Sequence, residues 1–148
     1  MNTTLLFALA AQALAVCAPA RAAAVDDARV HFQAIASGDV AVVMRPYAEQ
    51  AQFNWVGGPL DGTYVGAEAI RGVWTKFTQA QGPLKLGVGA IEESANPKGA
   101  TVSANLVFEG RMPIKVRYVI TFRDQKIVSE TWQVDPALKV ASAAGDGY

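Results

Sequence analysis

Three side chains in this sequence pair reactive chemistry with an apolar setting. His31 is the only histidine, and it shares one helical face with Ala28, Phe32 and Ile35 at i, i+3, i+4, i+7 spacing. An imidazole titrating near ~6.5 suits acid–base work. Glu130 falls in the row Val128, Trp132, Val134. A carboxylate there costs roughly several kcal/mol unless it is paired or takes up a proton. Tyr118 falls in the row Ile114, Val116, Ile120, Phe122, where its phenol can donate to a substrate oxygen. In a catalytic reading Glu130 is the general base, and His31 and Tyr118 polarise an oxygen. In a structural reading His31 is a core histidine with one hydrogen bond, Glu130 bonds Tyr118 or reaches water at a rim, and Tyr118 is a core ring. Trp55 and Trp132, with Phe53 and Val116 beside them, are candidate walls for an apolar ligand, or simply core. Trp74, on a helical stripe, reads as core.

Other chemistries lack their residues. One histidine, and one cysteine at Cys17, leave no zinc cluster, so no metal and no cofactor are expected. Glu92 and Glu93 are adjacent, so on a strand they point to opposite faces. Gly87-Val88-Gly89 has no third glycine and sits in a strand run. There is no Gly-x-Ser-x-Gly elbow and no phosphate loop.

The elements that must position these groups change period partway along the chain. Ala24 to Ser37 reads as a helix with Asp26 and Asp27 in its first turn, ended by Gly38. Asp39 caps a short second helix through Val43 and Met44, and Pro46 closes it. Ala51 to Val56 alternates as a strand. Gly57 to Gly62 is turn-rich. Gly66 precedes a third helix with Ile70, Val73, Trp74 and Phe77 on its buried stripe, closed by Gly82-Pro83. From Leu84 the period is two. Leu84, Leu86, Val88 and Ala90 form one row, and Val102, Ala104, Leu106 and Phe108 the next. The Tyr118 and Glu130 rows follow. Three helices and then an antiparallel meander with one buried face make an α+β domain.

The pattern also predicts a register. Phe108 pairs with Ile114 and Ala104 with Tyr118. Asp124-Gln125 holds neither Gly nor Asn, so a two-residue primed turn is not expected. With Arg123-Asp124-Gln125 as the loop, Phe122 meets Lys126, Ile120 meets Val128, Tyr118 meets Glu130 and Val116 meets Trp132. Lys115, Arg117, Thr121 and Arg123 then line the outer face, as a solvated or dimer-facing row.

Length and composition bound the rest. The 148 residues suit one domain; 51% are hydrophobic, 18% charged, and the formal net charge is zero. That excludes disorder, a generic polybasic nucleic-acid binder and a fibrous class. Residues 1–22 read as a signal peptide: an apolar run from Leu5 to Val16, Pro19, and a small-x-small site at Ala20-Arg21-Ala22, cut after Ala22. The start has no Lys or Arg. As a membrane anchor, Leu5 to Ala20 is short of the ~20 residues a span needs, and Leu14-Ala15-Val16-Cys17 resembles a lipobox with the wrong residue at Val16. A periplasmic or secreted domain over residues 23–137 is expected, with no stable membrane span after processing and a flexible tail over 138–148.

Several segments carry a resemblance in their order and spacing. They are Ala36-Ser37-Gly38-Asp39, Tyr47 to Phe53, Gly62-Thr63-Tyr64-Val65-Gly66 with Ala69-Ile70-Arg71, and Lys126 to Trp132. In that order they resemble the nuclear transport factor 2-like superfamily, in its SnoaL-like and ketosteroid isomerase-like group. The resemblance spans Val25 to Asp135. It implies a curved sheet wrapped around the long first helix, a cone with an interior pocket, and often a homodimer. The isomerase's oxyanion tyrosine falls on His31, its base aspartate on Trp55 and its strand aspartic acid on Tyr118, so the usual isomerase mechanism is not expected.

Three functions follow as expectations. The first is an exported domain that binds a small apolar molecule in its cone. The second is an isomerase, cyclase or dehydratase that transfers protons on a carbonyl compound. The third is a homodimeric interaction module.

Overall fold

A computed structural model describes residues 23–140. The expected leader over 1–22, and the tail from 141 on, lie outside the described residues. Helix α1 spans Ala24–Ser37, α2 Val40–Met44 and α3 Ala67–Gln81. The strands are β1 Tyr47–Val56, β2 Gly62–Val65, β3 Lys85–Asn96, β4 Gly99–Glu109, β5 Pro113–Arg123 and β6 Lys126–Val134. Six strands form one sheet in the order β2-β1-β6-β5-β4-β3. The α+β class is as expected. The sheet is mixed rather than wholly antiparallel, because β1 runs parallel to β6. Chain connectivity explains that pairing: β1 is laid down before the α3 crossover, and β6 returns beside it at the end of the meander. Among the described residues, no helix is long and apolar enough to cross a membrane.

The helix faces follow their spacing. Ala28, His31, Phe32 and Ile35 of α1 are buried, as are Ile70, Val73, Trp74 and Phe77 of α3. Gly38 ends α1 in the left-handed region at φ 77°, and its N–H reaches Ala34 O and Ile35 O. Asp39 caps α2 by accepting from Val42 N at 3.2 Å. Both layers bury these stripes on the concave face of the sheet, against Val102, Leu106, Phe108, Val116, Tyr118, Ile120 and Trp132.

Two bulges reset the expected registers. The β4–β5 hairpin pairs Phe108 with Ile114 and Ala104 with Tyr118, as read from the pattern. The β5–β6 hairpin differs. Asp124 and Gln125 form a two-residue turn with φ 50° and 64°, and Arg123 pairs with Lys126 and Phe122 with Ile127. A bulge at Val128 then shifts the pairing, so that Ile120 faces Glu130, Tyr118 faces Trp132 and Val116 faces Val134. The expected three-residue loop assumed one unbroken alternation. The bulge lets Ile127 point inward together with Glu130 and Trp132, which no unbroken period of two allows. A second bulge between Val88 and Ile91 turns Ile91 inward and leaves Ala90 exposed, outside the row expected for it.

On the convex face, Arg117 Nη1 donates to Asn105 Oδ1 at 3.3 Å. Beyond β6, Asp135 N donates to Lys115 O at 2.9 Å. The chain then reaches the sheet at Gly89, where an added Cβ would lie 3.4 Å from Val140 Cγ1 and 3.2 Å from Asn105 O.

Candidate functional site

Five side chains from five elements meet inside the cone. His31 comes from the buried face of α1 and Trp74 from that of α3. Tyr47 opens β1 just after Pro46, Tyr118 lies midway along β5, and Glu130 follows the β6 bulge. Glu130 and His31 are each only 2% exposed. Tyr118 Oη donates to Glu130 Oε2 at 2.5 Å, and Tyr47 Oη donates to Glu130 Oε1. Trp74 Nε1 donates to Tyr47 Oη at 2.8 Å. His31 Nε2 lies 3.0 Å from Tyr118 Oη and 3.4 Å from Tyr47 Oη. The Tyr118–Glu130 bond is diagonal across the ladder, between a residue facing Trp132 and one facing Ile120.

Burial sets the charge state. It pushes the Glu130 carboxyl up to about 8, against the opposing pull of the two phenol donors. It lowers the His31 imidazole to about 3. Both phenols titrate well above their ordinary value, because burial and the neighbouring carboxyl disfavour a phenolate. His31 Nε2 and Glu130 Oε2 approach to 3.9 Å, but at neutral pH both groups are uncharged, and the contact is not an ion pair.

Proton positions in such a knot are set by its bonding pattern. With Glu130 protonated, the donors run in one direction: Trp74 to Tyr47, Tyr47 to the Glu130 carbonyl oxygen, the Glu130 hydroxyl to Tyr118, and Tyr118 to His31 Nε2. The single proton of the neutral imidazole then sits on Nδ1, which is buried without a partner. If a base from outside the knot takes the Nδ1 proton, the Tyr118 proton can move to Nε2 and the Glu130 proton to Tyr118. The result is a carboxylate holding both phenols and an imidazole protonated on Nε2. Both arrangements satisfy the same distances. The knot can therefore store a proton and pass it between Glu130 and His31. His31 also lines a cleft of about 360 Å³ between α1, α2 and the β5–β6 turn, beside Asp27, Arg45 and Gln125.

A larger and different hollow opens at the other end of the cone. About 520 Å³ lies between the β1–β2 loop, the last turns of α3 and the β4–β5 turn. Trp55, Leu60, Phe77, Met112, Ile114 and Val134 supply its apolar walls. Trp132 stands between the two regions. Its ring centroid is 5.1 Å from that of Tyr118, 5.0 Å from Trp55 and 5.7 Å from Phe77. Neither hollow includes Glu130, Tyr118 or Tyr47 in its lining.

The structure thus brings Glu130, His31 and Tyr118 together, as the sequence reading joined them. Trp55 lines the mouth pocket. Trp132, Phe53 and Val116 are fully buried and lie behind it, with Phe53 stacked on Trp74 at 5.2 Å. Two members of the knot were not singled out for chemistry. Tyr47 shares parity with Ala51, Phe53 and Trp55, and extending that alternation back past Glu49 would have reached it. Trp74 is core as expected, yet its N–H also orients Tyr47. Among the described residues, no cluster of three or more metal-ligating side chains occurs.

A family model described as the SnoaL-like domain matches residues 28–130. Nothing among curated proteins matches the chain. Solved structures share its fold at low identity. A nuclear transport factor 2-like protein of unknown function from Pseudomonas putida superposes with a TM-score of 0.65 at 16% identity, over 74% of this chain and 82% of that one. A protein of unknown function with a cystatin-like fold from Nostoc punctiforme gives 0.64 at 15%, over 78% and 90%. A polyketide cyclase candidate from Sinorhizobium meliloti gives 0.52 at 21%, over 73% and 94%.

Proposed function

The chain belongs to the SnoaL-like domain family, and on that premise we propose that it binds a small apolar molecule in the pocket at the mouth of its cone. The observation that carries this reading is the 520 Å³ hollow itself, walled by Trp55, Leu60, Phe77, Ile114 and Val134. Its size falls within the roughly 300–1,000 Å³ of ordinary ligand pockets. Titration with Nile red, an uncharged apolar dye, tests it. Saturable binding is expected, with quenching of tryptophan emission through Trp55. Ala80→Trp, placed on the exposed side of the pocket lining, should abolish binding without lowering the melting temperature. Binding untouched by Ala80→Trp counts against this pocket.

A second reading is proton transfer on a carbonyl compound. It is favoured by the relay through Tyr118 and by the raised Glu130 carboxyl. In this reading His31, beside the α1–α2 cleft, meets the substrate, and Glu130 is the proton store behind it. It ranks second because both Glu130 oxygens are held by phenols and the mouth pocket does not reach them. Exchange of the acidic C–H of a ketone in deuterated water, present in the native chain and lost in both Glu130→Gln and His31→Phe, would move it to first place.

The export expectation belongs with these proposals: the mature N-terminus of the secreted chain should begin at Ala23. So does the homodimer, which sedimentation would reveal as a doubled mass.

A further inference from the structure

The mouth pocket has walls of one character and a rim of another. Its charged lining residues are Lys76 on α3 and Arg111 on the β4–β5 turn, and no carboxylate lines it. Asp61, in the adjoining loop, is not part of the lining and accepts from Gly57 N at 2.7 Å. Among the described residues, no salt bridge within 4 Å involves Lys76 or Arg111. Both side chains are exposed. Both line the hollow together with Trp55 and Phe77, one from α3 and the other from the β4–β5 turn. Beside Arg111, Met112 is 75% exposed, a large apolar side chain held at the lip of an apolar cavity.

A neutral hydrocarbon would fill the floor and leave two cations and Met112 unused. An acid group attached to the same apolar body would use all three. We infer that the natural occupant is an amphipathic monoanion, an apolar chain or ring carrying one carboxylate. Its body lies against Trp55, Phe77 and Ile114, Met112 folds over it, and its carboxylate sits at the rim between Lys76 and Arg111. The acid group stays at the rim. The closing carbonyls of α3, near Ala80 and Gln81, carry the negative end of the helix dipole and disfavour an anion deeper in that corner. An arginine in this place can hold both carboxylate oxygens at once.

This inference rests on the mouth pocket being a binding site, and the experiment separates the two. Dodecanoate and its methyl ester have the same apolar body and differ in charge. Each is titrated against the full chain, followed by tryptophan emission. Dodecanoate should bind at least about fivefold more tightly than the ester, a modest factor because the rim is solvated. The advantage should shrink in high salt. It should vanish in Lys76→Gln/Arg111→Gln, whose affinity for the ester stays at the native value. If acid and ester bind the native chain equally, the anionic occupant is overturned and the apolar pocket stands. If neither binds, and Nile red does not bind either, both readings fall. If the double variant does not fold, the salt dependence in the native chain decides: an acid–ester difference indifferent to salt overturns the role of the rim cations.

Discussion

The inner knot and the outer mouth are built from opposite materials. The knot is polar, closed and almost fully bonded, with each of its hydroxyls, its carboxyl and one imidazole nitrogen engaged. The mouth is apolar and open, lined by the rings of Trp55 and Phe77 and edged by an exposed Met112. Buried polar groups are tolerated only when their bonds are made, whereas an apolar hollow needs only something to fill it. On the function proposed above, this difference is a division of labour, with stability and proton storage inside and recognition outside. Trp132 is the shared wall.

Removing that wall tests the division most severely. Trp132→Ala should cost about 3–5 kcal/mol in denaturant unfolding, as expected for a buried tryptophan. A cost under about 1 kcal/mol would mean that the two regions are not held apart by this ring. Breaking the knot comes next. Tyr118→Phe leaves Glu130 Oε2 without its hydrogen-bond partner and His31 Nε2 without its nearest partner, and should cost about 1–3 kcal/mol. Mouth binding of Nile red should be unchanged in the same variant.

The knot should also shape stability against pH. Glu130 binds its proton more tightly folded than unfolded, about 8 against 4.5, so its contribution is present in full below 4.5 and is lost as pH rises to about 8. His31 behaves in the opposite sense, about 3 folded against 6.5 unfolded, so its contribution grows as pH rises from 3 to 6.5. The two slopes oppose each other between 4.5 and 6.5, leaving a plateau of stability there. Melting temperature should therefore fall from pH 6.5 to 8 in the native chain and stay level over that range in Glu130→Gln. A native profile without the fall would place the Glu130 proton elsewhere. The smallest effect is expected outside. Met112→Ala should leave stability within about 0.5 kcal/mol while weakening dodecanoate binding measurably.

The parts of this arrangement that were legible in the sequence are those governed by simple periodicity. His31, Phe32 and Ile35 follow one helical face, and Tyr118 follows an uninterrupted strand row, so their burial was readable. Glu130 was placed on the correct face through an incorrect register. The turn at Asp124-Gln125 accepts left-handed backbone without glycine, and Val128 absorbs the extra step. No composition cue marks that bulge, because its benefit is to bury Ile127 alongside Phe122, a tertiary gain. Tyr47 is not legible from periodicity, because the exposed Glu49 and Gln50 interrupt its alternation. The mouth was the least legible. Leu60, Arg111 and Met112 lie in turns far apart in the chain, and only the folded sheet brings them to one opening.

The last described residues bear on whether copies of this chain can associate. Val140 rests on the bare backbone of Gly89, on the outward surface of the sheet, the side on which a homodimer was anticipated. A second molecule stacking there must either peel this segment away or build around it. Self-association through that surface would then compete with an intramolecular contact at high effective concentration, so trimming the chain before Leu138 should strengthen association, whereas a bulky residue in place of Gly89 would crowd both Val140 Cγ1 and the Asn105 carbonyl of β4.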